Sequence, residues 1–410
     1  MSLPSLFQVL QLAYGPSLLY TMGPFKAGQY FRTQLIGIPH HEDNRIVVEF
    51  FGNFCRFGKE LSSDVALVSA LGGFSQENSV TGLRDFYDNI KKTGSFLMHS
   101  KIWPFTIDSD LIFRKENHEL PNENTIRFHL LSPDQNILIQ AEYIVSNTGH
   151  VYGPGSYENS NSKSESNSEN DVTSFSNIIN TCQRENLTLV EYVLSYEEHV
   201  HSVDPVQTRT KMEQIWKIIK ASVESGLQQD LAGNMYKTYH DRLANYEIIG
   251  NEQALASIYA LAVCEESRKN KFVVATPVCE TAGILPAVLN TLQEKYHFYD
   301  EKIADALVIA GFVGSYLMQI NVKNNTNIYF STATAMASAG GLSLLSSDLG
   351  ILNEVVNIAI SLSDSKMPFT SGEITNLNIK HSNLAIEAIN LGLNGFQLSK
   401  STTKKPPPVH

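Results

Sequence analysis

The sequence predicts an α+β protein, with an N-terminal α/β domain over residues 1–152 and a C-terminal all-helical domain over residues 177–400. Three observations predict it. The first region interleaves strand-like runs rich in β-branched and aromatic residues with helical ones, whereas the second reads almost entirely at helical spacing. Between them, Gly153 to Ser176 is rich in Ser, Asn and Glu and almost free of aliphatic side chains. Such a run cannot bury enough surface to offset its ordering entropy, so residues 153–176 are expected to form a flexible linker.

In chain order, helices are expected at Gly23–Gln34, Ser63–Gly72 and Val80–Thr93. Arg45-Ile-Val-Val-Glu-Phe-Phe reads as a strand, and Thr125–Leu131 with Asn136–Val145 reads as a hairpin turning through Ser132-Pro-Asp-Gln. Met212, Ile215, Trp216, Ile219 and Val223 form one apolar stripe, closed by Gly226. Further helices fit Asn251–Arg268, Ile284–Glu294, Lys302–Leu317, Thr334–Ser346, Leu352–Leu362 and Asn383–Leu391. The apolar run Ala306–Met318 is shorter than the roughly 20 residues of a membrane span, so it predicts a buried core helix. Ala333, Ala335, Ala337, Ala339, Gly340 and Gly341 leave room for close backbone approach. Residues 401–410 are expected to be a disordered tail.

A net charge of −11 with scattered basic residues argues against nucleic acid or an anionic membrane as the main partner. The first basic residue is Lys26, so no secretory signal is expected and the compartment is read as cytoplasmic. Cys55, Cys182, Cys264 and Cys279 lie far apart and read as reduced thiols. No Walker loop, dinucleotide fingerprint or Gly-x-Ser-x-Gly elbow occurs. His199-Val-His201 reads as a surface loop and not a metal pair, because i and i+2 do not share a helix face.

Three segments in order carry a resemblance: Gly15-Pro-Ser-Leu-Leu-Tyr-Thr-Met-Gly-Pro-Phe-Lys-Ala-Gly, Phe57-Gly-Lys-Glu-Leu-Ser-Ser-Asp, and Asn251–Asn290 with Ile258-Tyr-Ala-Leu-Ala-Val and Ala282-Gly-Ile-Leu-Pro-Ala-Val-Leu. They resemble the iron–sulfur L-serine dehydratases; Thr334-Ala-Met-Ala-Ser-Ala-Gly and Ala385-Ile-Glu-Ala-Ile-Asn are weaker echoes. The resemblance covers nearly the whole chain. It implies a serine dehydratase-like fold, a β-chain-like α/β domain followed by an α-chain-like helical one, and a homodimer. In that family a [4Fe–4S] cluster in the helical domain binds the substrate hydroxyl at an open iron, a base removes the α-proton, and the product loses ammonia to give pyruvate.

The chain departs from the family where that chemistry occurs. The family's cluster cysteines align with Ala282, a position near Thr326, and one at or beside Leu377, and Cys279 is the last cysteine of the chain. Tyr20 and Leu61 stand where the family has histidines. A cluster takes thiolates, so the expectation is no cofactor: no [4Fe–4S] cluster and no other metal.

Candidate substrate-binding residues by this alignment are Ser17, Thr21, Lys59, Asp64, Asn147, Thr281 and Thr326. The alternative reading makes Ser17 and Thr21 helix caps, with Lys59 and Asp64 solvated. Cys279 and Glu280 precede a helix start, whose partial positive charge would lower a thiol pKa, so they are read as base or nucleophile. Tyr20, His150 and His381 complete the catalytic candidates.

The function expected is a repurposed lyase, doing cluster-independent acid/base chemistry in the interdomain cavity. Elimination, isomerisation or cyclisation are the reactions in view, on a small hydroxylated or amino-acid-like substrate, as in biosynthesis. Leu18, Leu19 and Leu61 suggest a more apolar substrate than serine. Two alternatives stand beside it: a catalytically silent paralogue that binds a metabolite or partner protein, and an L-serine dehydratase whose cluster uses Cys264 or Cys279.

Overall fold

The computed structural model describes residues 2–39, 41–74, 82–114, 124–153, 174–245, 250–324, 329–363 and 370–402. The protein is α+β, an α/β region followed by a helical one, as the sequence predicts. Most of the expected linker (154–173) and the tail beyond Thr402 lie outside the described residues.

The chain opens with α1 (Leu6–Val9) and β1 (Gln11–Tyr14), then a π-turn (Leu18–Met22) running directly into α2 (Gly23–Gln34). The α/β body adds β2 (Arg45–Phe51), a second π-turn (Phe54–Gly58), α3 (Ser63–Leu71), α4 (Leu83–Thr93), the β3–β4 hairpin (Ser95–Met98, Lys101–Pro104), α5 (Ile107–Asp110), β5 (Leu111–Arg114), β6 (Thr125–Leu131), β7 (Ile137–Val145) and β8 (Val151–Tyr152). Its main sheet has the order β5-β2-β6-β7-β8, antiparallel except for the β2–β5 edge. Period-2 alternation puts Ile126, Phe128 and Leu130 on one face, where the Phe31 ring of α2 stacks on Phe128 at 4.6 Å. The strand and hairpin read from β-branched runs are therefore in place.

The helical body comprises α6 (Phe175–Glu185), α7 (Leu189–His201), α8 (Pro205–Leu227), α9 (Asp230–Ala244), α10 (Glu252–Arg268), β9 (Phe272–Ala275), α11 (Ile284–Tyr296), α12 (Asp300–Asn324), α13 (Tyr329–Leu345), α14 (Leu349–Leu362) and α15 (Ser371–Thr402). The small residues of α13 are fully buried, which lets α11, α12, α14 and α15 close around it. α12 is apolar and long enough to cross a membrane, but 78% of that stretch is buried inside the protein, the position of a core helix. The stripe on α8 is buried as expected. Gly226, however, does not close that helix: a Cβ there would lie 2.2 Å from the Ala262 carbonyl oxygen, so the glycine permits close packing against α10. His199 and His201 are not in a loop but in the last turn of α7, where His201 Nε2 lies 3.0 Å from the Leu3 carbonyl oxygen.

The two bodies are sewn together by the first residues of the chain. Leu3, Leu6, Val9 and Leu10 lie in the helical core, outside the α/β body that residues 1–152 were expected to form. Buried Glu197 of α7 accepts hydrogen bonds from Ser5 Oγ (2.8 Å) and the Leu6 amide (3.0 Å). β1 pairs antiparallel with β9, Gln11 opposite Ala275 and Tyr14 opposite Phe272. Gly15 then passes so close to Ser267 that a Cβ would lie 2.1 Å from its hydroxyl, while Asn270 Nδ2 donates to the Gly15 carbonyl (2.9 Å).

Candidate functional site

This seam brings two loops face to face. On one side Ser17 caps the π-turn, its Oγ accepting from the Tyr20 amide at 3.1 Å, and is wholly buried. Thr21, one turn later, accepts from the Ser17 amide (3.3 Å) and donates to the Leu61 carbonyl (3.1 Å). Lys26 on α2 extends across the same region, with Nζ donating to the Gly149 carbonyl at 3.2 Å.

On the other side, β9 leads through Thr276-Pro-Val to a tight turn, Cys279–Thr281, ahead of α11. Thr281 Oγ donates to the Thr276 and Val278 carbonyls (2.7 and 3.0 Å), and Thr276 Oγ donates back to the Thr281 carbonyl (3.0 Å). The Thr281 hydroxyl is thus committed to shaping the loop, which is a correction to its expected substrate role. From α15, Asn378 donates to the Glu280 carbonyl (2.7 Å) and accepts from the Gly283 amide (2.9 Å), fixing both the loop and the start of α11.

Glu280 is the chemical focus. Its carboxyl is buried and hydrogen-bonded to Ser17 across the seam; burial raises its pKa to about 7, against the pull of that bond. Lys26 is lowered from its ordinary value by burial, while the nearby Cys279 acts the other way. Tyr329, at the start of α13, packs on the same loop, and burial together with Glu280 raises its pKa, so its phenol keeps its proton.

Cys279 corrects the expectation of a nucleophile. Burial, reinforced by Glu280, pushes its pKa well up against the opposing charge of Lys26, so desolvation outweighs the helix start and the thiol stays neutral. The Tyr20 ring packs edge-on against Phe54 and Phe57, at 5.7 and 6.1 Å, among the apolar groups of the α/β body. His381 lies on continuous helix α15 and not in a loop, buried, with Nδ1 2.8 Å from Thr334 Oγ.

The remaining candidates do not join this group. Lys59 is exposed, its ammonium over the Phe113 ring at 5.1 Å. Asp64 accepts from the Tyr87 hydroxyl (3.2 Å) and the Val65 amide (2.9 Å) in the first turn of α3. Asn147 and His150 are exposed, with His150 packed edge-on against Tyr152. Thr326 lies outside the described residues. The structure therefore gathers Ser17, Thr21, Cys279 and Glu280. It adds Lys26, Tyr329 and Asn378, of which only Lys26 stood in a motif that could have announced it.

Among the described residues no three His, Cys, Asp or Glu side chains form a group that could hold a metal ion, and the four cysteines are unpaired and dispersed.

Comparison with known proteins covers both bodies. The family described as serine dehydratase beta chain matches residues 5–153, and that described as serine dehydratase alpha chain matches residues 184–363. The chain is similar to the L-serine dehydratase of Haemophilus influenzae, 26% identical over 363 residues that cover 82% of this chain and 77% of that protein. It is also similar to L-serine dehydratase 2 of Escherichia coli, 23% identical, covering 83% and 78%. The L-serine dehydratase alpha chain of Peptoniphilus asaccharolyticus matches at 24% over 179 residues, 41% of this chain and 61% of that one. These matches overturn the expectation of no cofactor. They fall on a family of [4Fe–4S] enzymes.

Proposed function

The chain belongs to the serine dehydratase family and is a lyase-type enzyme of that kind; from this premise we propose that Glu280 performs the proton transfer in an elimination on a small hydroxylated, amino-acid-like substrate bound at the interdomain seam. The observation that carries the reading is a buried carboxyl titrating near pH 7, held by a serine from the other body. A group poised near the working pH both takes and returns a proton efficiently. Ionised Glu280 accepts the α-proton and returns it to the departing β-hydroxyl, which leaves as water, while Ser17 donates to the carboxylate and orients it. Lys26 supplies the positive charge that a substrate carboxylate seeks, and the protonated Tyr329 phenol is a further donor. Buried Leu18, packed with Cys279 and Val278, favours a substrate whose side chain is more apolar than that of serine.

The test is to incubate purified protein in D₂O with L-serine, L-threonine and 3-phenylserine. Release of ammonia and a 2-oxo acid would be followed together with deuterium uptake at the α-carbon. The reading expects turnover or exchange, reduced about 10²–10⁴-fold in Glu280→Gln, and a raised KM in Lys26→Met. Neither product nor exchange with any of the three, or activity that survives Glu280→Gln, would overturn it.

A further inference from the structure

We propose a second ligand site, remote from Glu280, in a cavity of about 190 Å³ among α9, α10 and α11, that takes a small compound carrying a primary ammonium group.

One face of α11 presents Thr291, Glu294 and Lys295, at i, i+3 and i+4. That face meets Glu252 and Leu255 of α10, and Tyr239 and Leu243 of α9. Thr291 Oγ is fully buried at the cavity wall and makes no hydrogen bond. Buried hydroxyls without a partner are rare in native interiors, so this one calls for a partner that the fold itself does not supply, and the adjoining cavity has room for it.

Beside it Glu294 is held ready. The Tyr259 hydroxyl donates to its Oε2, the Tyr236 hydroxyl does so at 3.2 Å, and His240 Nε2 lies 3.2 Å from Oε1. At the mouth, Glu252 accepts from Lys295 Nζ (2.6 Å) and the Tyr296 hydroxyl (3.3 Å). Two carboxylates against one ammonium leave the lining net negative. The cavity shares Gly250, Glu252 and Lys295 with an outer basin of about 550 Å³, to which Glu387, Asn390 and Asn394 add a polar, acidic approach.

An ammonium group, with three donors and no acceptor, matches a carboxylate and an unfilled hydroxyl acceptor standing side by side. The cavity is below the roughly 300 Å³ of drug-sized pockets, so the ligand has few heavy atoms. A free amine and the α-ammonium of an amino acid share this chemistry.

Thermal shift and titration calorimetry on the full-length protein would use ethanolamine, L-serine, and lactate as the control without an amine. They would compare wild type with Thr291→Val, Glu294→Gln and Glu280→Gln. The expected result is saturable binding of ethanolamine or L-serine, retained in Glu280→Gln and weakened at least tenfold in both cavity variants, with none for lactate. Which ammonium compound binds more tightly identifies the source. Thr291→Val replaces an unsatisfied hydroxyl by an isosteric methyl, so its ligand-free melting temperature should match or exceed that of wild type, which separates lost binding from lost fold. Binding of neither compound, binding that persists in Thr291→Val, or binding that disappears in Glu280→Gln would overturn the proposal.

Discussion

A carboxyl that titrates near pH 7 when folded and near 4.5 when exposed binds more protons in the native state throughout that interval. Stability is therefore fully present below about pH 4.5 and is lost as pH rises through 7. The full span is on the order of 3 kcal/mol. Between pH 5 and 8 the wild-type melting temperature should consequently fall more than that of Glu280→Gln, which cannot ionise. The neutral, buried Cys279 carries a second expectation: alkylating reagents at pH 7 should leave it unmodified in the native protein, and Cys279→Ala should retain turnover within about tenfold. Ser17 and Glu280 were legible because each sits in a motif. The sign of the Cys279 shift was not, since a sequence shows the helix start but not how completely water is excluded.

Among the elements, the loop before α11 depends on Asn378, whose amide serves three backbone groups at once. Asn378→Ala would leave the Gly283 amide and the Glu280 carbonyl buried without those bonds, at about 1–3 kcal/mol for each group so stranded. Urea unfolding should show that loss. Turnover should fall further than stability alone explains, because the Glu280 loop is released. Long elements with a sustained period were readable: β2, the β6–β7 hairpin, and helices α2, α3, α8 and α10 stand where the pattern puts them. α15 was read only over Asn383–Leu391, since its polar first turns hide the period, yet it runs from Ser371 to Thr402 and carries both Asn378 and His381. The four-residue strands β1 and β9 were not read at all. Neither is long enough to show alternation, and their pairing joins positions some 260 residues apart.

At the scale of the molecule, the site exists only while the two bodies keep their register. Gly15 packs on Ser267 with no room for a Cβ, so Gly15→Val should force the seam open and part Ser17 from Glu280. Displacements of about 1 Å can cost on the order of 10²-fold in rate. Activity should collapse while far-UV circular dichroism stays near that of wild type; full activity in that variant would show that the seam does not set the geometry. The same seam has a temporal side. Leu6, Val9 and Leu10 leave the ribosome some 300 residues ahead of α12, against which they pack. At 5–20 residues per second that is a wait of roughly 15–60 s. For that interval the growing chain carries an unsheltered greasy segment, a natural foothold for a chaperone, and the helical body is sealed by a stretch made long before its partner.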